Sequence, residues 1–208
     1  MLDIIIVGAG GFGREVYEMA KEIFVEPEYK IRGFLSDDLE ILDGFNLDIP
    51  ILGTIKDYKV CPNDRFLVAI GSVDGKKKIV EFLKAQEARF LSLVHPEAKI
   101  FSSAVIGEGS IIYPYAFVSS NVKIGDFCLL NAFAGCGHDA VVGDYSVLCP
   151  YSVLLGWASI EEEGFIATHA TVGPKVKLGK RAKVSANSAA LRSAADDAFI
   201  CGVPGKVF

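Results

Sequence analysis

The sequence has few of the residues that mark a metal centre, a disulfide framework or a membrane segment. Its 208 residues include three histidines, one tryptophan and five cysteines, with no Cys-x-x-Cys pair. An odd number of thiols without that spacing is typical of neither a disulfide scaffold nor a zinc site, so we expect reduced thiols and no metal. No window reaches the roughly 20 apolar residues that cross a bilayer, and the N terminus lacks a signal-peptide pattern. We therefore expect a cytoplasmic protein.

Positive charge is also scarce. The net charge is -5, and the Lys76–Lys78 run is the one small basic cluster. Nucleic acids and anionic membranes are bound by extended basic surfaces, so neither is predicted as a partner. The hydrophobic content of 51% is enough for a sizeable core, in one domain or in two small ones.

The second half of the chain repeats with a period of six residues. From Val94 to Ala190 every sixth residue is aliphatic or small and apolar, and a second column from Ala98 to Ser188 is small or β-branched throughout. This period fits neither a 3.6-residue helix nor hairpins. It predicts a triangular parallel β-helix of about five coils, with the aliphatic column inside and residues 18 apart stacked on adjacent coils.

Six glycines directly follow the aliphatic column, where we predict that the corner of the coil requires a permissive backbone. They are Gly107, Gly125, Gly137, Gly143, Gly173 and Gly179.

The first half alternates strand and helix patterns. Strands are predicted at Ile4–Val7, Ile31–Leu35 and Phe66–Ile70, and helices at Gly13–Ile23 and Gly75–Ala88. This alternation predicts a parallel sheet. The predicted domains are therefore an α/β, Rossmann-like domain over residues 1–92, and an all-β domain with a C-terminal tail over residues 93–208.

A glycine-rich motif, Gly8-Ala-Gly10-Gly-Phe-Gly13, follows the first strand and opens the first helix. Its amides and the helix N terminus are suited to a phosphate group. The pair Asp37-Asp38 ends the second strand, where a dinucleotide site would hold a ribose, so NAD binding is an alternative. A domain of about 90 residues is closer to one mononucleotide-binding half, which favours a nucleotide phosphate. A purely structural tight turn is the third interpretation.

One histidine lies in a register that points outward from the predicted coil. His138, in Gly135-Cys-Gly-His138-Asp139, is two residues beyond the aliphatic column, so its imidazole is a candidate general base. Charged residues occupy the same register elsewhere, so an ordinary surface histidine is the alternative. Gly156 lies 18 residues on, with its amide exposed one coil away.

The other candidate groups near this histidine are less suited to catalysis. Cys136 falls in the inward column and is not predicted to be a nucleophile. His95 and His169 fall in other registers, which argues against a three-histidine metal site in one chain. A metal site shared between subunits stays open as an alternative.

The chain resembles one family of bacterial sugar acetyltransferases over nearly its whole length. The family includes UDP-4-amino-sugar and GDP-perosamine N-acetyltransferases and sialic acid O-acetyltransferases. The resemblance depends on the repeat with its Gly-His-Asp turn and on four short segments. These segments are Ile4-Ile-Ile-Val-Gly-Ala-Gly-Gly-Phe-Gly-Arg14, Phe34-Leu-Ser-Asp-Asp38, Val68-Ala-Ile-Gly71 and Gly202-Val-Pro-Gly-Lys206.

The resemblance implies a left-handed β-helix, a homotrimer with its active site in the cleft between adjacent subunits, and a role in polysaccharide biosynthesis. It implies acetyl-CoA as cosubstrate and a nucleotide-linked amino sugar as acceptor. His138 matches the general base, Asp139 the acid that raises its basicity, and Gly156 a residue at acetyl-CoA whose amide would stabilise the oxyanion. Residues that match acetyl-CoA contacts are Val147, Gly156, Thr168 and Ala186, and those that match the nucleotide-sugar site are Gly11, Phe12, Gly13, Asp37, Asp38 and Gly71.

Two features of the chain leave the assignment open. Several relatives carry a second histidine nine residues after the base, where this chain has Val147, so cofactor contacts there must differ. Nothing in the sequence distinguishes acetylation of an amine from acetylation of a hydroxyl, as on sialic acid, although a nucleotide-type domain favours a sugar nucleotide. A non-catalytic trimeric scaffold is the alternative from another class, and retention of His138 and Asp139 argues against it.

Overall fold

The computed structural model describes residues 1–208 in two compact units, Met1–Leu93 and Val94–Phe208. The predicted boundary, between residues 92 and 93, lies one residue earlier. Neither helix of the protein has the length and apolar character needed to cross a membrane.

Unit 1 is a four-stranded parallel sheet with two helices. The elements are β1 Leu2–Val7, α1 Gly11–Ile23, β2 Tyr29–Leu35, β3 Ile51–Gly53, β4 Asp64–Val68 and α2 Val73–Lys84. The strand order is β3-β2-β1-β4, with every pairing parallel. β1 pairs on both edges, and its residues from Ile4 to Val7 are fully buried, as its continuous apolar run requires. The predicted α/β domain with a parallel sheet is confirmed.

Three details of unit 1 differ from the prediction. β3 was not predicted, because three residues at a sheet edge are too few to show a period. β4 begins and ends two residues earlier than predicted. α2 begins after Ser72, whose hydroxyl accepts a hydrogen bond from the Gly75 amide at 2.9 Å, and it ends at Lys84. Glu87 then adopts a φ of 60°, so the helix does not reach Ala88.

The repeat begins at the end of unit 1 and fills unit 2 with short strands separated by corners. The two-residue strands β5 to β21 are, in order, Leu93–Val94, Lys99–Ile100, Val105–Ile106, Ile111–Ile112, Phe117–Val118, Lys123–Ile124, Leu129–Leu130, Gly135–Cys136, Val141–Val142, Val147–Leu148, Val153–Leu154, Ser159–Ile160, Phe165–Ile166, Thr171–Val172, Lys177–Leu178, Lys183–Val184 and Ala189–Ala190. Two further strands follow, β22 Phe199–Cys201 and β23 Lys206–Val207.

These strands form three sheets, which are the three faces of a coil. Face A contains β5, β8, β11, β14, β17, β20 and β22, with β23 antiparallel at its end; face B contains β6, β9, β12, β15, β18 and β21; face C contains β7, β10, β13, β16 and β19. Paired residues on adjacent coils are 18 apart, as in Leu130 with Leu148, but Lys183 pairs with Phe199 because the last coil is two residues shorter. The predicted parallel β-helix is confirmed.

The corners of the coil overturn one prediction. The left-handed backbone falls three residues after the inward column, as at Asp139 with a φ of 60°, and the six glycines after that column do not adopt it. They are needed because adjacent coils approach closely: a Cβ on Gly137 would lie 2.8 Å from the Gly156 nitrogen. The prediction of a conformational role for these glycines was wrong, and their role is steric.

Candidate active site

The candidate base lies at a corner between face B and face C. β12 enters this corner with Cys136, which is fully buried in the predicted inward position. Burial, with a smaller effect of neighbouring Cys128, raises the pKa of the Cys136 thiol to about 12. The thiol is therefore protonated at neutral pH and turned away from any ligand. The next residues, Gly137 to Asp139, form the corner itself.

The imidazole of His138 is outside the coil, with its side chain 60% exposed. Its Nδ1 lies 2.8 Å from Oδ2 of Asp139. The other carboxylate oxygen, Oδ1, accepts a hydrogen bond from Nδ2 of Asn121 at 3.1 Å. The hydrogen bond with His138 lowers the pKa of Asp139, desolvation opposes this, and the bond from Asn121 lowers it further. An ionised Asp139 favours the tautomer with the proton on Nδ1, which leaves Nε2 as the basic nitrogen.

Gly156 lies directly against this basic nitrogen. A Cβ on Gly156 would be 2.6 Å from Nε2 of His138 and 2.8 Å from Cε1, so the imidazole occupies the space that any side chain would need. Glycine at this position is therefore required by the ring and not by its own backbone conformation, which is outside the left-handed region.

The amide of Gly156 also differs from its counterparts in the same register. One coil apart, the amides of Glu108 and Asp126 donate to Oδ1 of the aspartate 18 residues on, at 2.8 and 2.9 Å. The residue 18 beyond Gly156 is Pro174, which has no side-chain acceptor. The Gly156 N–H has no hydrogen-bond acceptor within the chain. It is an available donor beside the candidate base, as an oxyanion site needs.

Two residues at this corner were missed by sequence reasoning. Asn121 precedes Asp139 by 18 residues and Trp157 follows it by 18, so stacking of adjacent coils places both next to Asp139. Trp157 is held by a hydrogen bond from its amide to the His138 carbonyl at 2.9 Å. The 18-residue rule could have found them, because it had already located Gly156.

The predicted acetyl-CoA residues fall into separate places. Thr168 and Ala186 follow β17 and β20 at the corner between face A and face B, and the Asn187 amide donates to the Thr168 carbonyl at 3.0 Å. They are stacked along the axis, as their spacing predicts. Face B separates them from Gly156 within one chain. Val147 lies on face A, with 4% of its surface exposed.

The remaining histidines are apart from this corner. His95 is buried, and His169 stacks on Tyr151 with ring centroids 4.8 Å apart. No group of three or more His, Cys, Asp or Glu side chains in the chain is arranged to hold a metal ion.

The glycine-rich motif of unit 1 lies at the carboxyl edge of the sheet. Gly8 has a φ of +100°, and a Cβ there would be 2.6 Å from the Ala69 carbonyl oxygen. A Cβ on Gly13 would strike Gly8, whereas one on Gly10 would meet nothing within 4 Å. The three glycines thus permit a tight turn, close packing of α1 on β1, and an open approach to the backbone between them.

This edge has the features of an anion site. α1 begins at Gly11, its N-cap Gly10 provides no side-chain cap, and its first turn has no acidic residue. The positive end of the helix dipole is therefore not neutralised by the motif. Strand order changes direction between β1 and β4, which is the position where open parallel sheets bind ligands.

The other predicted nucleotide-sugar residues lie at the same edge. Asp37 Oδ1 accepts a hydrogen bond from the Ile55 amide at 3.2 Å, and Asp38 Oδ1 accepts one from the Glu40 amide at 3.1 Å. Gly71 is exposed just beyond β4, and no atom lies within 4 Å of its Cβ position. The structure thus brings Gly11, Phe12 and Gly13 to the same edge of the sheet as the residues that follow β2 and β4.

Comparison with known proteins gives matches for both units. Residues 3–83 match the PglD N-terminal domain family. A segment of 113 residues is 31% identical to a UDP-N-acetylbacillosamine N-acetyltransferase of Bacillus subtilis (strain 168), covering 53% of this chain and 51% of that protein. The chain thus spans about half the length of this curated relative.

Two solved structures match over nearly the whole chain. PerB from Caulobacter crescentus, in complex with CoA and GDP-perosamine, is 25% identical, with a TM-score of 0.89 and coverage of 99% of this chain and 97% of that chain. The acetyltransferase domain of PglB from Neisseria gonorrhoeae FA1090, in complex with acetyl coenzyme A, is 27% identical, with a TM-score of 0.89 and coverage of 99% and 98%. These matches confirm the predicted resemblance to hexapeptide-repeat sugar N-acetyltransferases and the left-handed β-helix fold.

Proposed function

We propose that the protein is an acetyl-CoA-dependent N-acetyltransferase whose acceptor is the amino group of a nucleotide-linked 4-amino-dideoxy sugar. The observation that carries this proposal is the placement of the His138 Nε2 against Gly156, whose amide has no acceptor within the chain. Acyl transfer needs a base for the nucleophile and a donor for the developing oxyanion, and here the two are adjacent.

The proposed reaction is direct transfer. The sugar amine attacks the thioester carbonyl, and Nε2 of His138 takes one proton from its nitrogen. The Gly156 N–H donates to the carbonyl oxygen as it becomes an oxyanion, and collapse of the tetrahedral intermediate forms the amide and releases the CoA thiolate. The proton held on His138 can then pass to that thiolate, which leaves the base ready for another cycle.

Asp139 makes the imidazole a better base. Its carboxylate accepts the Nδ1 proton and stabilises the imidazolium formed during transfer. Asn121 holds the second carboxylate oxygen, so the carboxylate has one preferred direction toward the ring. An acid held in this way positions the histidine without itself touching the acceptor.

Unit 1 is proposed to hold the nucleotide part of the acceptor. The amides from Gly11 to Gly13 at the start of α1 suit the diphosphate, and Asp37, Asp38 and Gly71 border it. This is supported by the match to the PglD N-terminal domain and by PerB, which binds GDP-perosamine. An NAD site is disfavoured because the sheet of four strands supplies one mononucleotide half.

Acetyl-CoA is proposed to contact Val147, Gly156, Thr168 and Ala186 in a homotrimer. The support comes from PglB, which binds acetyl coenzyme A, and from the separation of Thr168 and Ala186 from His138 by face B in one chain. If a neighbouring copy supplies one of these two corners, the site becomes complete. The exposed Val147 surface is small, so its share of the contact would be slight.

A mixing experiment tests whether two copies share the site. The His138→Ala and Ala186→Trp variants are each expected to have little activity, the first without a base and the second with its acetyl-CoA surface blocked. Unfolding and refolding them together should restore part of the activity, because some clefts then combine two unaltered corners. Light scattering should give the mass of three 22.4 kDa chains. A monomer, or a mixture no more active than its parts, would contradict a shared site.

The acceptor is tested by thiol release from acetyl-CoA with UDP-, GDP- and dTDP-linked 4-amino-4,6-dideoxy sugars. The matched control for each is the same nucleotide sugar with a 4-hydroxyl in place of the amine. We expect turnover of at least one amino sugar, a product whose acetyl group resists hydroxylamine as an amide does, and little turnover of its hydroxyl counterpart.

Two results would go against this proposal. Preferred acetylation of the hydroxyl sugars or of free sialic acid, giving a hydroxylamine-labile ester, would make the protein an O-acetyltransferase. Absence of any turnover with the wild-type protein would favour the scaffold interpretation.

A further inference from the structure

The only tryptophan of the chain lies beside the candidate base. Trp157 is 56% exposed, and its ring meets the His138 imidazole edge to face, with centroids 6.2 Å apart and planes at 86°. Its amide donates to the His138 carbonyl, so the backbone of the residue is fixed relative to the base. A large apolar surface is therefore held at a constant position next to Nε2.

Packing of the coil explains the other exposed aromatic residues at corners but not this one. Tyr115, Phe133, Tyr151 and His169 are 18 residues apart and stack in a ladder, with centroid separations of 5.0, 4.7 and 4.8 Å. The residues 18 before and after Trp157 are Asp139 and Lys175, so the indole has no ring above or below it in its own register. Its faces are available to a ligand, as those of the ladder are not.

The proposed chemistry identifies which ligand group comes near the indole. A base acts on a nitrogen within about 2.6–3.2 Å, and the acceptor nitrogen is bonded directly to a carbon of the sugar ring. The sugar ring is thus the part of the acceptor closest to Nε2 and to the indole beside it. Acetyl-CoA contributes its acetyl group and sulfur at this point, on the Gly156 side.

We propose that Trp157 is the platform for the amino-sugar ring of the acceptor and that it selects deoxygenated amino sugars. This inference rests on the proposed function and adds the residue that recognises the sugar. The flat indole covers the C–H face of a dideoxy ring and attracts the amine in its ammonium form. A hydroxyl turned toward the indole would lose its water without gaining a hydrogen-bond acceptor, so fully hydroxylated amino sugars are disfavoured.

Kinetics of three variants test this role. The probe is the nucleotide-linked 4-amino-4,6-dideoxy sugar that the wild-type protein turns over. Trp157→Ala is expected to raise its KM about tenfold, which corresponds to the attraction of one aromatic face, and to leave the KM of acetyl-CoA unchanged. Trp157→Phe should keep most of the affinity. Tyr115→Ala is the matched control, an exposed aromatic residue at another corner, and should change neither KM.

Fluorescence gives a second readout because Trp157 is the sole indole. Emission excited at a wavelength selective for tryptophan should change when the amino-sugar nucleotide is added to the wild-type protein. It should change much less with the same nucleoside diphosphate without sugar, or with acetyl-CoA alone. Comparing these three additions separates contact with the sugar from contact with the nucleotide or the cosubstrate.

Defined outcomes would overturn the inference. An unchanged acceptor KM in Trp157→Ala, with wild-type turnover intact, would remove the platform and leave the proposed function standing. A raised KM for acetyl-CoA, or an emission change with acetyl-CoA alone, would assign the indole to the cosubstrate. An emission change on dilution without any ligand would assign it to a contact between subunits. Absence of turnover in the wild-type protein would fail the proposed function itself, and this inference with it.

Discussion

Replacement of His138 by alanine is expected to lower kcat by about 10²- to 10⁴-fold, the range that general base catalysis contributes. The imidazole is exposed and stabilises no part of the core, so circular dichroism and the melting temperature should stay close to those of the wild-type protein. The KM of acetyl-CoA should change little, because the ring acts on the acceptor nitrogen.

His169→Ala is the control for this variant. His169 is also at a corner, but it stacks on Tyr151 at another edge of the coil and is assigned no part in transfer. It should retain wild-type kcat. A His138→Ala variant as active as His169→Ala would remove His138 from the mechanism, whatever the acceptor.

The acid side of the pH profile should follow the imidazole and not the carboxylate. The hydrogen bond from His138 lowers the pKa of Asp139, so that carboxylate stays ionised until the pH falls below the usual range of an aspartate. Protonation of Nε2 comes first as pH falls, because an unperturbed histidine titrates near pH 6.5. The loss of kcat/KM at low pH is therefore attributed to His138.

Addition of a single methyl group at Gly156 is expected to lower kcat by about 10²-fold. A Cβ there would lie 2.6 Å from Nε2, so the imidazole must move away from its place over the Gly156 amide. Displacing a reacting group by about 1 Å, or losing one oxyanion donor, has an effect of this size. The backbone of Gly156 is outside the left-handed region, so alanine should fold normally.

Gly135→Ala provides the matched control for this effect. Gly135 is on face B one strand before the base, and a Cβ there would meet no atom closer than Cγ2 of Val153 at 3.4 Å. This variant should keep wild-type kcat, and both variants should have similar melting temperatures. If Gly156→Ala were also active within a factor of about three, contact between the imidazole and Gly156 would not be required for transfer.

Much of the fold could be predicted because the repeat imposes a strict register. Each coil has the same three faces, so one column of aliphatic residues determines which positions are inside, and Cys136 fell inside as expected. The strand β3 was missed because its three residues carry no period. The glycines after the inward column were misinterpreted, because composition does not distinguish a demand on φ from a close approach of the next coil.

The candidate site could be predicted in part for the same reason. The 18-residue spacing placed Gly156 beside His138, and the structure brings them together. Asn121 and Trp157 obey the same spacing but were missed, since an asparagine or an aromatic residue at a corner is also explained by the turn. That Thr168 and Ala186 lie at a different corner follows from counting faces, which had not been done for these positions.

The most direct test of the central claim is the structure of the protein with bound acetyl-CoA. The claim is that the thioester is received at the Gly156 amide, in reach of the His138 base. The account predicts a distance of about 2.7–3.1 Å between the thioester carbonyl oxygen and the Gly156 nitrogen. An acetyl group bound at another corner, with its carbonyl oxygen beyond hydrogen-bond distance of Gly156, would contradict it.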